Sequence, residues 1–406
     1  MKQVFLIHPH IYFTKTTRGE ILLYNTKNGR YIESESPLCL QLMEKIYKPE
    51  NLGVIDLADI YLENEESQTL IQKLVQMDFG QIRKEKTDSP RLVNLLPILN
   101  LHDDVERLKQ KEEYGIENSL FYLNELNIYL NGQCNLSCPH CILYAKQTKS
   151  CYKCNKNSYI QPAAIIKILD RLKYSRLLRV NIMGGNIFLY PALKELVEQL
   201  KTYRYNFHYW VHISNMENQL LNPKLHREIL ITFPIDKKLV IQYIAKNKSN
   251  NRIFYHFFIE NEIQYAETES ILNETNITNY EITPIYTKEN IQFFEDHVYL
   301  GKEDIFAVPI PHRIIFCNQK LNSNHFGKLY ILPDGSVKAN MNTETLVHID
   351  ENSMLEMITK EMDYNTAWRV IRKESPCIDC LFQYLCPPPS NYETAIGKPN
   401  LCVMKP

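Results

Sequence analysis

The chain has 406 residues, and 46 Lys and Arg against 47 Asp and Glu leave a net charge of −1, which excludes a protein held to nucleic acid by a basic surface. With 44% hydrophobic and 11% aromatic residues the composition is that of a folded protein long enough for two or three domains, not of a disordered one. No run approaches the ~18 apolar residues of a membrane span, and the apolar run Val4–Ile7 is too short for a secretion signal, so no membrane association is expected.

In chain order, residues 1–87 read as a small α+β module. Val4–Ile7 is strand-like, and Ile21–Tyr24 and Arg30–Glu33 flank a turn ending in Asn28-Gly29, a strong hairpin signal. Pro37 opens a helical pattern through Tyr47, and Ser67–Met77 carries a second, with Leu70, Ile71, Leu74 and Val75 on one face. Residues 88–122 are charged, are helical over Asp103–Glu113, and read as a connector.

From 123 to 300 strands and helices alternate, the pattern of a parallel sheet or barrel. The predicted strands are Leu126–Leu130, Leu178–Met183, Phe207–Ile213, Leu239–Ala245 and Tyr280–Thr283. The predicted helices are Ala163–Tyr174, Pro191–Tyr203 and Pro223–Leu230. Residues 301–406 read as irregular and cysteine-rich, with a hairpin of Lys328–Leu332 and Ser336–Ala339 around Pro333-Asp334-Gly335.

The eleven cysteines carry the chemistry. An odd number argues against a disulfide framework and for a reducing, cytoplasmic setting, and eight of them fall in three tight clusters, which points to metal. The first predicted barrel strand runs into Cys134-x3-Cys138-x2-Cys141. Three thiolates on a short loop suit three irons of a 4Fe–4S cluster and leave the fourth iron open. Zinc, with His140 as a fourth ligand, is the alternative metal. Parallel barrels place their chemistry at this C-terminal edge.

The motif and its position resemble the radical S-adenosylmethionine superfamily. The resemblance implies a partial (β/α)6 barrel in an α/β protein, with S-adenosylmethionine chelated to the open iron and cleaved to a 5′-deoxyadenosyl radical. It implies that His140 lies near the adenine, that Gly184, Gly185 and Asn186 after the second strand approach the cofactor's amino group, and that Ser214 contacts its ribose. The family usually has Glu-Pro where this chain has Asn186-Ile187. Asn keeps an acceptor oxygen but loses the charge that pairs with an ammonium.

Cys377-x2-Cys380-x5-Cys386 and Cys402, with the hairpin before them, resemble the SPASM extension of peptide- and protein-modifying members. That resemblance implies a second, auxiliary 4Fe–4S cluster on Cys377, Cys380, Cys386 and Cys402, closed to substrate and best suited to stapling the domain. Four-cysteine zinc is its alternative. Ser390 and Asn340 stand where the family's other auxiliary cluster has cysteines, which leaves only Cys317 there. Cys151-x2-Cys154 has no family counterpart; free or reversibly oxidised thiols are the first expectation and a metal site shared with Cys317 the second. Cys39 is expected in the core.

The first module resembles PqqD-like elements that bind leader peptides, here a winged-helix-like α+β unit, with an ordinary α+β domain as the alternative. Together these resemblances imply a maturase of a ribosomally synthesised precursor peptide, acting by hydrogen abstraction and served by a reducing partner such as ferredoxin or flavodoxin. A maturase of folded proteins shares the plan. Asn186 and the incomplete auxiliary set instead suit a catalytically inactive, radical-enzyme-like peptide-binding protein.

Overall fold

Two small antiparallel sheets open the chain, and a parallel sheet whose strands are buried on both faces forms its centre. A computed structural model describes residues 2–58, 65–85, 120–154, 158–173, 175–216 and 224–404. At the start, β1 (Lys2–Ile7) is the middle of an antiparallel sheet. A second antiparallel sheet joins β2 (Ile11–Lys15), β3 (Ile21–Asn25) and β4 (Tyr31–Ser34), while β5 (Val54–Asp56) and β6 (Gly80–Glu85) flank β1. The hairpin read from Asn28-Gly29 forms, with Tyr24 opposite Tyr31 and Gly29 at φ +74°, a left-handed value that glycine adopts without strain. Helices α1 (Pro37–Tyr47) and α2 (Glu65–Gln76) bury Cys39, Met43, Ile46, Ile71 and Leu74 against Phe5 and Ile7.

The centre is a run of parallel strands in sequence order: β7 (Glu125–Tyr129), β8 (Arg179–Met183), β9 (Asn206–His212), β10 (His226–Thr232), β11 (Ile253–Ile259) and β12 (Tyr280–Pro284). Among the described residues the connecting helices are α3 (Cys141–Gln147), α4 (Pro162–Arg171), α5 (Leu193–Leu200), α6 (Lys237–Asn247) and α7 (Glu262–Thr275). Alternate residues divide between the two faces, as strand geometry requires. Tyr209, Val211, Ile229, Ile231, Tyr255 and Phe257 face the helices, whereas Trp210, Leu230 and Phe258 line the opposite, inner face with Tyr129 and Met183. β13 (Lys328–Ile331) continues the sheet parallel to β7, and β14 (Ser336–Lys338) and β15 (Val347–His348) close it antiparallel. The predicted hairpin around Gly335 is the β13–β14 pair.

In the central region the structure corrects two elements and adds others. Leu239–Ala245, expected as a strand, lies in α6: Asp236 caps the helix by accepting from Leu239 N–H, and Val240 and Ile244, four apart, share its buried face. Pro223–Leu230, expected as a helix, instead enters β10, whose residues are buried on both faces as a central parallel strand demands. β11 and α7 were not anticipated. Residues 86–119, with the predicted helix Asp103–Glu113, lie outside the described residues, as does Pro223.

Beyond Gly301 the chain is less irregular than its composition suggests. After α8 (Ile291–His297) come α9 (Lys302–Phe306), α10 (His312–Asn318), α11 (Met354–Tyr364) and α12 (Asn391–Ile396). The first module packs on this part directly. Tyr12, Leu22 and Tyr24 share an apolar cluster with Ile305, Leu385 and Cys386, and Tyr24 Oη accepts from Ile310 N–H at 2.7 Å. Asp379, between Cys377 and Cys380, accepts from both Thr17 N–H and Thr17 Oγ1–H at 2.5 Å. Among the described residues no helix is long and apolar enough to cross a membrane.

Candidate functional site

Two loops meet at the C-terminal edge of the parallel sheet. One, residues 130–140, follows β7 and carries Cys134 and Cys138, with Cys141 at the start of α3 beyond it; the other, Gly184-Gly185-Asn186, follows β8. Gly185 N–H donates to Asn131 O at 2.9 Å and Asn186 N–H to Gln133 O at 2.6 Å. The contact needs glycine. A Cβ on Gly185 would lie 2.2 Å from Gln133 O, and one on Gly184 would lie 2.6 Å from Asn131 Oδ1. The predicted close approach is therefore made first to the cysteine loop itself.

The thiols are placed by neighbouring strand ends. Leu136 N–H donates to Cys134 Sγ at 3.4 Å. Cys138 is reached through a relay from β9 and β10. Ser214 N–H donates to His212 Nδ1 at 3.2 Å, which leaves the proton of a neutral imidazole on Nε2, 2.9 Å from Thr232 Oγ1. Thr232 in turn hydrogen-bonds Cys138. Burial holds the His212 pKa down at about 4, so the neutral tautomer persists at ordinary pH. Cys141 opens α3. Ser214 thus lies near the cysteine loop, but its backbone is what the relay uses.

His140 and Asn186 are committed within the protein. His140 Nδ1 sits 2.7 Å from Glu260 Oε1 at the end of β11, and Tyr144 Oη donates to the same oxygen at 2.9 Å. Asn186 Oδ1 accepts from Phe188 N–H at 3.1 Å and caps its own turn. The acceptor expected to meet an ammonium therefore already has a partner.

A 4Fe–4S cluster with S-adenosylmethionine fits this edge on three counts. The donors are three thiols on one loop; Gly184 and Gly185 leave a cradle that any Cβ would fill; and Asn131 Oδ1, Tyr129 Oη and Asn215 Nδ2 are buried polar atoms without a partner, which a polar ligand would satisfy.

The second thiol set lies far along the chain. Cys377, Cys380, Cys386 and Cys402 line one cavity of about 50 Å³ with Arg372 and Phe382. Burial pushes the Cys386 thiol up to about 12, against the pull of the Arg372 guanidinium. Arg372 is itself buried and paired with Glu393 at 2.7 Å. Four thiols around one cavity are the donor set of a cluster. Where this chain lacks the cysteines of the resemblance, an amide and a hydroxyl are engaged within the protein: Asn340 Nδ2 donates to Asn391 Oδ1 at 2.7 Å, and Ser390 Oγ caps α12 by accepting from Tyr392 N–H. Among the described residues no group of three or more His, Cys, Asp and Glu side chains is arranged to hold a metal ion.

Opposite the cysteines, the N-terminal ends of the strands enclose a polar cavity of about 450 Å³. At its centre Glu228 lies 2.5 Å from Arg179 Nη2 and 2.7 Å from both His208 Nδ1 and His256 Nε2. Burial would raise its pKa, but hydrogen bonds from the two imidazoles and the charge of Arg179 outweigh it and hold the carboxyl well below the usual range. Burial pulls His256 down, yet its hydrogen bonds to Glu228 and Glu281 leave it raised. A depressed carboxylate stabilises above its unfolded pKa of 4.5 and loses that contribution as pH falls; a raised imidazole stabilises below its unfolded 6.5 and loses that contribution as pH rises through the folded value. Melting temperature is therefore expected to peak between roughly pH 5 and the unfolded imidazole value of 6.5, and to fall as pH rises further toward the raised His256 value. In Glu228→Gln both limbs should flatten; an unchanged profile would show that this network does not set it.

Thr232, His212, Glu260 and Arg372 were not singled out from sequence. The signal available for the first three was position alone: each ends, or directly follows, a strand of the parallel set.

No family model matches the chain, and no curated protein matches it in sequence. Solved structures do match in fold. A crystal structure of Streptococcus suis SuiB bound to precursor peptide SuiA aligns over 99% of both chains, with a TM-score of 0.50 and 13% identity. Streptococcus suis SuiB alone aligns over 98% of this chain and all of its own (TM-score 0.48, 15% identity). Native anSMEcpe with bound AdoMet aligns over 64% of this chain and 88% of its own (TM-score 0.42, 11% identity). The expected class, a mixed α/β protein with a central parallel sheet, is the class found. The likeness to the peptide-bound structure is one of fold.

Proposed function

We propose that the protein is a radical S-adenosylmethionine maturase of a ribosomally made precursor peptide. The observation that carries this reading is the meeting of the three-cysteine loop with the Gly184-Gly185 turn at the C-terminal edge of six parallel strands. The end-to-end likeness to SuiB, crystallised with its precursor peptide, supports the peptide part.

In this reading Cys134, Cys138 and Cys141 hold a 4Fe–4S cluster, which with S-adenosylmethionine supplies a radical able to take hydrogen from a peptide carbon. Leu136 N–H and Thr232 orient two of the thiolates, and His212 keeps Thr232 turned toward Cys138. The apolar inner face of Trp210, Leu230 and Phe258 excludes water below the site. Asn131, Tyr129 and Asn215 offer their free polar atoms to the cofactor. Cys377, Cys380, Cys386 and Cys402 hold the second metal centre, and residues 1–87 take the leader, as a module docked on the loop that carries Cys377 and Cys380. A soluble reductant such as ferredoxin or flavodoxin supplies the electron.

Replacing Cys134, Cys138 and Cys141 together with Ala is expected to remove one cluster's iron, about four atoms per chain, while the second centre keeps its metal. Unchanged iron would sink the barrel assignment. One observation favours a peptide-binding protein without chemistry instead: the Asn186 oxygen is engaged by Phe188 N–H. Asn186→Glu should tighten cofactor binding in the first case and leave it unmeasurable in the second.

A further inference from the structure

The segment Cys151-Tyr152-Lys153-Cys154, which the proposed function does not use, lies across the barrel cysteines. Tyr152 N–H donates to Gly184 O at 2.8 Å, Cys154 N–H to Gly132 O at 3.1 Å, and Lys153 Nζ to Leu136 O at 3.0 Å. These bonds tie it to the Gly-Gly turn and to the cysteine loop on both sides of Cys134. The Cys154 sulfur covers Gly132, where a Cβ would lie 2.0 Å from it.

Cys151 turns the other way. It is 7% exposed and belongs to the inner apolar cluster of Tyr129, Met183 and Trp210, against which Cys138 also packs. The strap thereby lays Cys151 beside the cysteine loop, with Cys138 packed on the same cluster.

Resting on the reading that this loop holds a cluster, we infer that Cys151 is a fourth thiol donor of the barrel site, closing the iron that three cysteines leave open. The strap fixes its backbone, and the apolar surroundings exclude water as a competing ligand. S-adenosylmethionine would then bind only by displacing Cys151. Cys134, Cys138, Cys141 and Cys151 would together hold the cluster, and Cys151, once displaced by the cofactor's amine and carboxylate, would take up one proton with no change of oxidation state.

The test compares wild type, Cys151→Ala and, as a control on the same strap, Cys154→Ala, all loaded with iron and sulfide under anaerobic conditions. Each is mildly oxidised with ferricyanide and read by electron paramagnetic resonance and iron analysis. A cluster with an open iron loses it and shows the three-iron signal; one with four thiolates does not. The signal is expected in Cys151→Ala and absent from wild type and Cys154→Ala. Equal signals in wild type and Cys151→Ala would overturn the assignment while leaving the cluster itself in place. Wild-type iron content in the Cys134, Cys138 and Cys141 triple variant would instead mean that the underlying reading has failed. Should Cys151→Ala not fold by circular dichroism, Cys151→Ser keeps the size with a poorer iron ligand; it should show the signal, and its silence would count against the proposal.

Discussion

Arg372→Ala is expected to cost about 3–5 kcal/mol of unfolding free energy, the range for removing one partner of a buried ion pair. Arg372 and Glu393 are each under a tenth exposed and lie 2.7 Å apart. The guanidinium also donates from Nε to Pro387 O at 2.6 Å and hydrogen-bonds Cys377, so it joins the chain on both sides of the thiol cavity. Without it the Glu393 Oε1 charge stays buried and unpaired, although Oε2 keeps its bonds from Ser390. The loss should also reach the metal. The Arg372 charge opposes the burial that raises the Cys377, Cys380 and Cys386 thiols, so the variant must deprotonate them at greater cost before they ligate. Urea unfolding and metal content should fall together. A loss of under about 1 kcal/mol would show that the pair is more hydrated than its burial indicates.

The second large effect belongs to Gly185→Ala. Its new Cβ would meet Gln133 O at 2.2 Å and Gln133 C at 2.7 Å, and both are backbone atoms that no rotamer change can move. The two loops must part, which breaks the bonds from Gly185 N–H to Asn131 O and from Asn186 N–H to Gln133 O. Overpacking and two strained hydrogen bonds together cost about 2–4 kcal/mol. The more telling loss is iron at the barrel cysteines, because the loop that carries them is the one displaced. Gly184→Ala should be milder, since its nearest obstacle is the movable side chain of Asn131. Equal stability and iron in Gly185→Ala and wild type would refute the view that this contact shapes the cysteine loop.

What the sequence disclosed follows from how local each signal is. The turn at Asn28-Gly29, the helix opened by Pro37, the strand leading to Cys134 and the Gly-Gly turn after β8 are encoded within a few residues, and all are found. The β10–β11 region was misread because its strands are buried on both faces. His226–Thr232 and Ile253–Ile259 do not alternate, while the apolar residues of Leu239–Ala245 look equally strand-like until Asp236 is seen to cap them. The thiol spacings were legible, but their partners were not. Thr232 reaches Cys138 across 94 residues of sequence, and Arg372 reaches Glu393 only once the Pro387 to Pro389 run has folded back. Cys151 was visible as half of a motif, yet its place beside Cys141 depends on hydrogen bonds to Gly132 and Gly184 that no spacing encodes.

The most direct test of the proposed function is formation of 5′-deoxyadenosine from S-adenosylmethionine by anaerobically reconstituted, reduced protein whose iron has been counted. Product above that of the Cys134, Cys138 and Cys141 triple-alanine variant is the predicted result. No product from fully iron-loaded protein, with a candidate precursor peptide present, would contradict it.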